Sequence, residues 1–223
     1  IRCLLTPMYG DRSYADSLPE PDVTALGTTP HSPSSKSNAS WQEIIDMVES
    51  VIINVRDEAN GISVAVGPSG PQRSSDELLV ASMDLAIKYD LPFHTHLLET
   101  KAQEATAYRL YGKSMVEHLH DLNLLNERVS FAHGIWISEA DMHLIKESGS
   151  SIVHNPPCNL AIGSGILQLI PLKEAGVRLA LGTDGSNAGG YQSMFESMKL
   201  AAILSKNMTP DFKRWLTADD VLE

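Results

Sequence analysis

Cysteine is scarce in this chain: 223 residues hold only Cys3 and Cys158, with no CxxC pair. No disulfide framework is expected, and a reducing, cytoplasmic compartment is the simpler setting. Positive charge is scarce too, with 17 Lys and Arg against 28 Asp and Glu, for a net charge of -11. No basic stripe offsets this balance, so neither nucleic acid nor an anionic membrane surface is an expected partner. Long apolar runs are missing: none approaches the roughly 20 residues of a membrane span. No signal-peptide pattern opens the chain, and no initiator Met does. Ile1-Arg2-Cys3-Leu4-Leu5 reads as a buried strand, and Asp220-Val221-Leu222-Glu223 stops inside a helical pattern. The expectation is an internal portion of a longer chain.

An apolar content of 43% is ordinary for a soluble protein, and the length suits one sizeable α/β domain. Residues 1–7 read as a strand. Residues 8–39, rich in Ser, Pro, Thr and Asp without periodicity, read as a long, mobile loop. From Ser40 a helical pattern begins, with Trp41, Ile44, Ile45, Val48, Val51 and Ile52 on one face and Glu43 three residues after the cap.

A strand-then-helix unit then repeats. Strands are predicted over 62–66, 93–97, 129–133, 151–154 and 177–183. Helices are predicted over about 75–88, 100–120, from 138, 167–175 and 191–204. Short apolar strands separated by helices signal a parallel sheet covered by helices. Six strands suit either an open sheet or part of an eight-stranded barrel, and pattern alone does not separate these. The polar residues at the strand ends do.

His94, His96, His133, His154 and Asp184 each fall at or just beyond the C-terminal end of a predicted strand, and Glu99 follows within a few residues. Active sites of barrels and open α/β sheets are built at that end. One such histidine is ordinarily a core or loop residue; an imidazole or carboxylate on four consecutive strands is a rim. Imidazole plus carboxylate without thiolate suits Zn²⁺ or a similar first-row metal.

The motifs themselves carry a resemblance. His94-Thr95-His96-Leu97-Leu98-Glu99-Thr100 resembles the HxHxxET motif of the amidohydrolase superfamily, in its branch of cyclic deaminases and triazine hydrolases. Phe131-Ala132-His133-Gly134 resembles that branch's sixth-strand motif. His154-Asn155-Pro156-Pro157-Cys158-Asn159 resembles its HNPxSN segment, with Cys158 where Ser is usual. Leu181-Gly182-Thr183-Asp184-Gly185 resembles its last-strand motif.

This resemblance implies a (β/α)8 barrel of the metal-dependent hydrolase kind, present here as about six βα units, strands 3 to 8, spanning residues 1–223. It implies His96 and Asp184 as ligands of one Zn²⁺, with Fe²⁺ as the alternative ion, and His94 behind them. It implies Glu99 as the proton shuttle, His133 as hydrogen-bond partner of the attacked centre or the water, and Asp184 also as a water-orienting carboxylate. His154 and Asn155 would shape the substrate pocket, and Asn159 would hold a loop. The family's first strand supplies a further HxH pair; His31, alone between two prolines, does not replace it.

Other features are less specific. Gln72 and Arg73, after the strand preceding His94, are candidate substrate contacts on a rim loop, and Trp136 is a candidate pocket wall. Gly163-Ser164-Gly165 and Gly189-Gly190 lack the Lys of a phosphate-binding P-loop and read as rim loops. The expected activity is hydrolytic deamination of a purine, pyrimidine or triazine, a C–N bond cleavage in a cyclic amidine by a metal-activated water. The same chemistry would serve dechlorination or alkylamine removal from an s-triazine. A different class is an inactive fragment with a structural or interaction role, and this segment alone is expected to be inactive. The expected partner is a small heterocycle; homo-oligomerisation is left open.

Overall fold

The computed structural model describes residues 2–13, 39–190 and 192–223. His31 and most of the predicted loop lie outside the described residues. The chain divides into two compact units, Ile1–His96 with Ala102–Leu124, and Leu97–Lys101 with Leu125–Glu223.

In the first unit the predicted opening strand is broken into β1 (Cys3–Leu5) and β2 (Met8–Tyr9), so the loop does not begin at Met8. Pro7 has no N–H to give to a ladder, and it falls in the break. Helix α1 (Trp41–Val55) follows, buried along Ile44, Val48 and Ile52. Ser40 and Glu43 close its capping box as predicted, each side chain bonding the other's backbone N–H. The next strand is broken in step with the first. β3 (Ile62–Val64) pairs in parallel with β1, and β4 (Gly67–Pro68) with β2. A Cβ on Gly67 would stand 2.4 Å from Thr6 Cγ2 and 2.8 Å from the Pro7 carbonyl, so only glycine permits this approach.

Helix α2 (Asp76–Lys88), capped by Ser75, leads to β5 (Phe93–Leu97). His94 N–H donates to the Val66 carbonyl at 2.8 Å, which continues the parallel order. Along β5, Phe93, Thr95 and Leu97 are buried while His94 and His96 are partly exposed, the alternation that a strand imposes. The single helix predicted over 100–120 is two helices, α3 (Lys101–Tyr111) and α4 (Met115–Asp121). Gly112 takes a left-handed φ of +69°, and Ser114 with Glu117 forms a new capping box. Apolar periodicity runs through such a break, but the cap chemistry marks it.

A polar web ties this unit together. Asp11 accepts from Ser75 N–H at 2.7 Å, and Arg12 donates to Tyr111 Oη at 3.0 Å. The Tyr111 ring stacks on His118 at 3.5 Å, and His118 Nε2 lies 2.9 Å from Asp76 Oδ1.

The second unit holds β6 (Val129–His133), α5 (Glu139–Ser148), β7 (Ser151–His154), α6 (Pro156–Ala161), α7 (Leu169–Ala175) and β8 (Arg178–Leu181). It ends on α8 (Ser186–Gly189), α9 (Met194–Met208) and α10 (Ala218–Leu222). β6, β7 and β8 are parallel neighbours in that order, with Ser130 opposite Ser151 and His154 opposite Leu181. The helix predicted from residue 138 is α5, and Ser138 with Asp141 forms its capping box. Gly149 and Gly176 end α5 and α7 in the left-handed conformation. Leu97 and Leu98 accept from Gly134 N–H at 2.8 Å and Trp136 N–H at 3.1 Å, so the turn after β5 is laced to the turn after β6. Helix α6, which directly follows β7, was not predicted; Pro156 and Pro157 occupy its first turn, where a missing N–H costs nothing. Among the described residues no helix is long and apolar enough to cross a membrane.

Candidate metal and catalytic site

Three polar side chains of the second unit meet at the C-terminal ends of its strands. Glu99, His133 and Asp184 each offer a ligand atom, and these atoms lie within 4.8 Å of one another. His133 Nε2 is 3.8 Å from Glu99 Oε1 and 3.6 Å from Asp184 Oδ2. His133 is buried and the two carboxylates are partly exposed, so the group is wet on one side and packed on the other.

The backbone is bent to bring them together. His133 has φ +74° and Asp184 φ +60°, both in the left-handed region that side chains other than glycine and asparagine rarely adopt. Such conformations cost about 1–3 kcal/mol each and concentrate at functional sites. Gly134 at φ +61° continues the turn after β6.

Each member is held by its neighbours. Asn159 Oδ1 accepts from His133 Nδ1 at 2.9 Å. Nδ1 therefore carries a hydrogen, and Nε2 is the atom that faces the carboxylates. Gly185 N–H donates to Asp184 Oδ1 at 2.5 Å. Burial pushes the pKa of the Cys158 thiol up to about 12, and the neighbouring Asp184 and Glu99 carboxylates add to the effect. Two carboxylates this close repel one another, and a divalent cation between them removes the conflict. Carboxylate oxygen with imidazole nitrogen is a donor set suited to a first-row metal, so these residues fit the metal the sequence implied.

His154, at the end of β7, is fully buried, and neither ring nitrogen has a protein hydrogen-bond partner. Burial first, and then the charge of His133, pull its pKa from 6.5 to about 4, so it is neutral at physiological pH. Asn155 is 5% exposed; its Oδ1 stands 2.2 Å from where a Cβ on Gly182 would be. Trp136 Nε1–H donates to the Ser164 carbonyl at 2.9 Å, and Lys101 Nζ sits 4.7 Å from its ring centre.

The remaining candidates belong to the first unit. His96 Nδ1 bonds the Ser69 carbonyl oxygen. A carbonyl only accepts, so Nδ1 carries a hydrogen there also. Gln72 is 5% exposed, and Arg73 has a buried Nε with no partner, both in the 3-10 turn Pro71–Arg73.

Glu99, His133 and Asp184 thus come together, with His154 close enough to feel His133. Asn159 holds a histidine rather than only a loop. The signal lay in the segment after β7, where a polar side chain follows two prolines closely.

The sequence matches the Amidohydrolase family over residues 11–223. It is 38% identical over 164 residues to a 5'-deoxyadenosine deaminase of Methanothrix thermoacetophila, covering 74% of this chain and 40% of that one. An adenosine deaminase of Xanthomonas campestris, solved with bound zinc, superposes with a TM-score of 0.82 at 29% identity, over 99% of this chain and 45% of that one. A zinc complex of an atrazine chlorohydrolase from Arthrobacter aurescens superposes with a TM-score of 0.85 at 20% identity, over 100% of this chain and 47% of that one. The chain therefore spans less than half the length of the relatives it matches. Its fold class is α/β, that of the (β/α)8 metal-dependent hydrolases, carried here as about six βα units. The strand-end carboxylates and imidazoles, the order of the motifs that bear them and these likenesses agree, and the chain belongs to the Amidohydrolase family.

Proposed function

We propose that the protein is a metal-dependent aminohydrolase acting on an aromatic nitrogen heterocycle, with the amino group of an adenine-type ring as the leaving group. The observation that carries this reading is the meeting of Glu99, His133 and Asp184 within 4.8 Å. A carboxylate able to carry a proton stands there beside an imidazole and a second carboxylate suited to a cation.

In this reading Zn²⁺ is the ion, with Fe²⁺ as the alternative, and His96 and Asp184 are its ligands from this chain. A bound Zn²⁺ would supply a water made far more acidic than bulk water, with a pKa of about 7. Glu99 would carry a proton from the attacking water to the ring nitrogen. The carbon–nitrogen bond then breaks, and ammonia leaves with the second proton of the water. His133, its Nδ1–H engaged by Asn159, presents Nε2 to the reacting centre. Gln72, Arg73, Trp136, His154 and Asn155 are the residues proposed to contact the substrate. Support for a purine substrate comes from the 38% identity to the 5'-deoxyadenosine deaminase. The free cysteines Cys3 and Cys158 fit the cytoplasmic location that belongs to the same reading.

The test is to purify the full-length protein, measure its zinc and iron content, and assay ammonia release from adenosine, 5'-deoxyadenosine, guanine and a chloro-s-triazine. About one equivalent of metal and turnover of a purine are expected. A metal-replete protein that releases chloride from the triazine and leaves every purine untouched supports dechlorination instead. Absence of tight metal binding and of all turnover supports the non-catalytic role.

A further inference from the structure

In the first unit one peptide and its successor are tied down from both neighbouring strands. The peptide joins Pro68 to Ser69 at the end of β4. Its carbonyl accepts from the Thr95 hydroxyl at 2.7 Å, a buried contact, and its N–H donates to the Tyr9 carbonyl of β2 at 2.6 Å. The next carbonyl, that of Ser69, accepts from His96 Nδ1 at 2.5 Å. Neighbouring side chains of β5, Thr95 and His96, therefore grip successive carbonyls of the chain beside them. Proline explains why a side chain is needed. His94 N–H donates to the Val66 carbonyl, but Pro68 has no N–H with which β4 could answer. The Thr95 hydroxyl supplies a tie at that point. Thr95 is 2% exposed, so water does not compete for the bond, and its branched Cβ leaves few rotamers open. It lies on the face of β5 opposite His96, so any influence on that ring runs through the peptide.

We propose that Thr95 is a positioning residue: its hydroxyl fixes the Pro68–Ser69 peptide, and that peptide sets the Ser69 carbonyl on which the His96 ring is oriented. Held at its oxygen by β5 and at its nitrogen by β2, the peptide plane cannot turn without breaking a bond. The carbonyl that follows is then aimed by two strands rather than by a loop. An imidazole that donates to a backbone carbonyl has its ring orientation fixed, and ligand histidines are commonly held in this way. Valine has nearly the shape of threonine but no hydroxyl, and it would take this donor from the buried Pro68 carbonyl. Serine keeps the donor. The consequence for the metal rests on the reading of His96 as a ligand given above; the orientation of the ring does not.

The experiment uses the full-length protein with isotope-labelled histidine, comparing Thr95→Val and Thr95→Ser by nuclear magnetic resonance. In metal-free protein the His96 Hδ1 resonance, identified by its loss in His96→Gln, reports the bond to Ser69. It should lie downfield in the wild type and in Thr95→Ser. In Thr95→Val it should move upfield or vanish through exchange with water. Zinc affinity should fall by roughly 10- to 100-fold in Thr95→Val and stay within about threefold of wild type in Thr95→Ser. A merely structural role would lower the denaturation midpoint and move neither the resonance nor the affinity. A resonance unmoved in Thr95→Val overturns the proposal, and so does a serine variant displaced as far as the valine one. A resonance that moves while zinc affinity holds upholds the positioning and counts against His96 as a ligand. If Thr95→Val does not fold, the wild type decides alone. The Ser69 amide, at the other end of the same peptide, should exchange its hydrogen as slowly as the amides of the core. Exchange at the rate of an exposed loop amide overturns the proposal.

Discussion

Replacing His154 with leucine should abolish one component of the protein's acid sensitivity. The imidazole is fully buried with no protein partner for either nitrogen, and its folded pKa is about 4 against 6.5. In the unfolded chain this histidine takes up a proton as pH falls through 6.5; in the folded chain it stays neutral until about pH 4. Between those values the unfolded state binds more protons, so folding stability falls as pH falls. The contribution is fully present above pH 6.5 and lost in steps down to about pH 4. The whole window corresponds to on the order of 3 kcal/mol, and about 2 kcal/mol of it is gone by pH 5. Leucine is close in volume and does not titrate. It also removes two polar atoms that are costly to bury unpaired, so at pH 7.5 it should be neutral or stabilising. The assay is urea denaturation of the full-length protein, stripped of metal so that proton competition for the ligands does not enter, at intervals from pH 7.5 to 4.5. The stability difference between variant and wild type should grow by about 2 kcal/mol on going to pH 5. Parallel pH profiles for the two proteins would refute the reasoning, because His154 would then titrate alike in both states.

Three further outcomes are expected. Glu99→Gln should retain zinc, measured by metal analysis, and lose about 10²- to 10⁴-fold in kcat, since an amide cannot carry the proton; near-normal turnover removes Glu99 from the reaction. Gly182→Ala puts a Cβ 2.2 Å from Asn155 Oδ1, and the forced shift should lower unfolding free energy by about 1–3 kcal/mol; an unchanged denaturation midpoint counts against the close packing of β8 on that side chain. Ser114→Ala removes the acceptor for the Glu117 N–H and should cost about 1 kcal/mol; calorimetry showing no loss would mean that α4 does not depend on its cap.

The parts of the fold legible from sequence were those governed by local chemistry. Ser40 with Glu43 announced a helix start because a cap needs only residues three apart. The histidines of β5 were legible because a strand alternates faces. What escaped depended on groups far apart in sequence. The double break of the first two strands couples Thr6 and Pro7 to Gly67 across some sixty residues, and no periodicity records it. The division between α3 and α4 was written in Gly112 and Ser114, but apolar spacing outweighed it. The strand-end placement of His133 and Asp184 was readable; the hold of Asn159 in α6 on His133 was not, because it joins residues 26 positions apart that no periodicity relates.

The two histidines whose tautomers matter most are protected unequally against mutation. The proton on His96 Nδ1 is directed by the Ser69 carbonyl, a group that every amino acid carries, so residue 69 is free to drift without changing how His96 presents itself. The proton on His133 Nδ1 is directed by the Asn159 side chain, and one codon change can withdraw that acceptor. Position 159 is therefore where inherited or engineered variation should alter the chemistry of the centre most readily while leaving every first-contact residue in place.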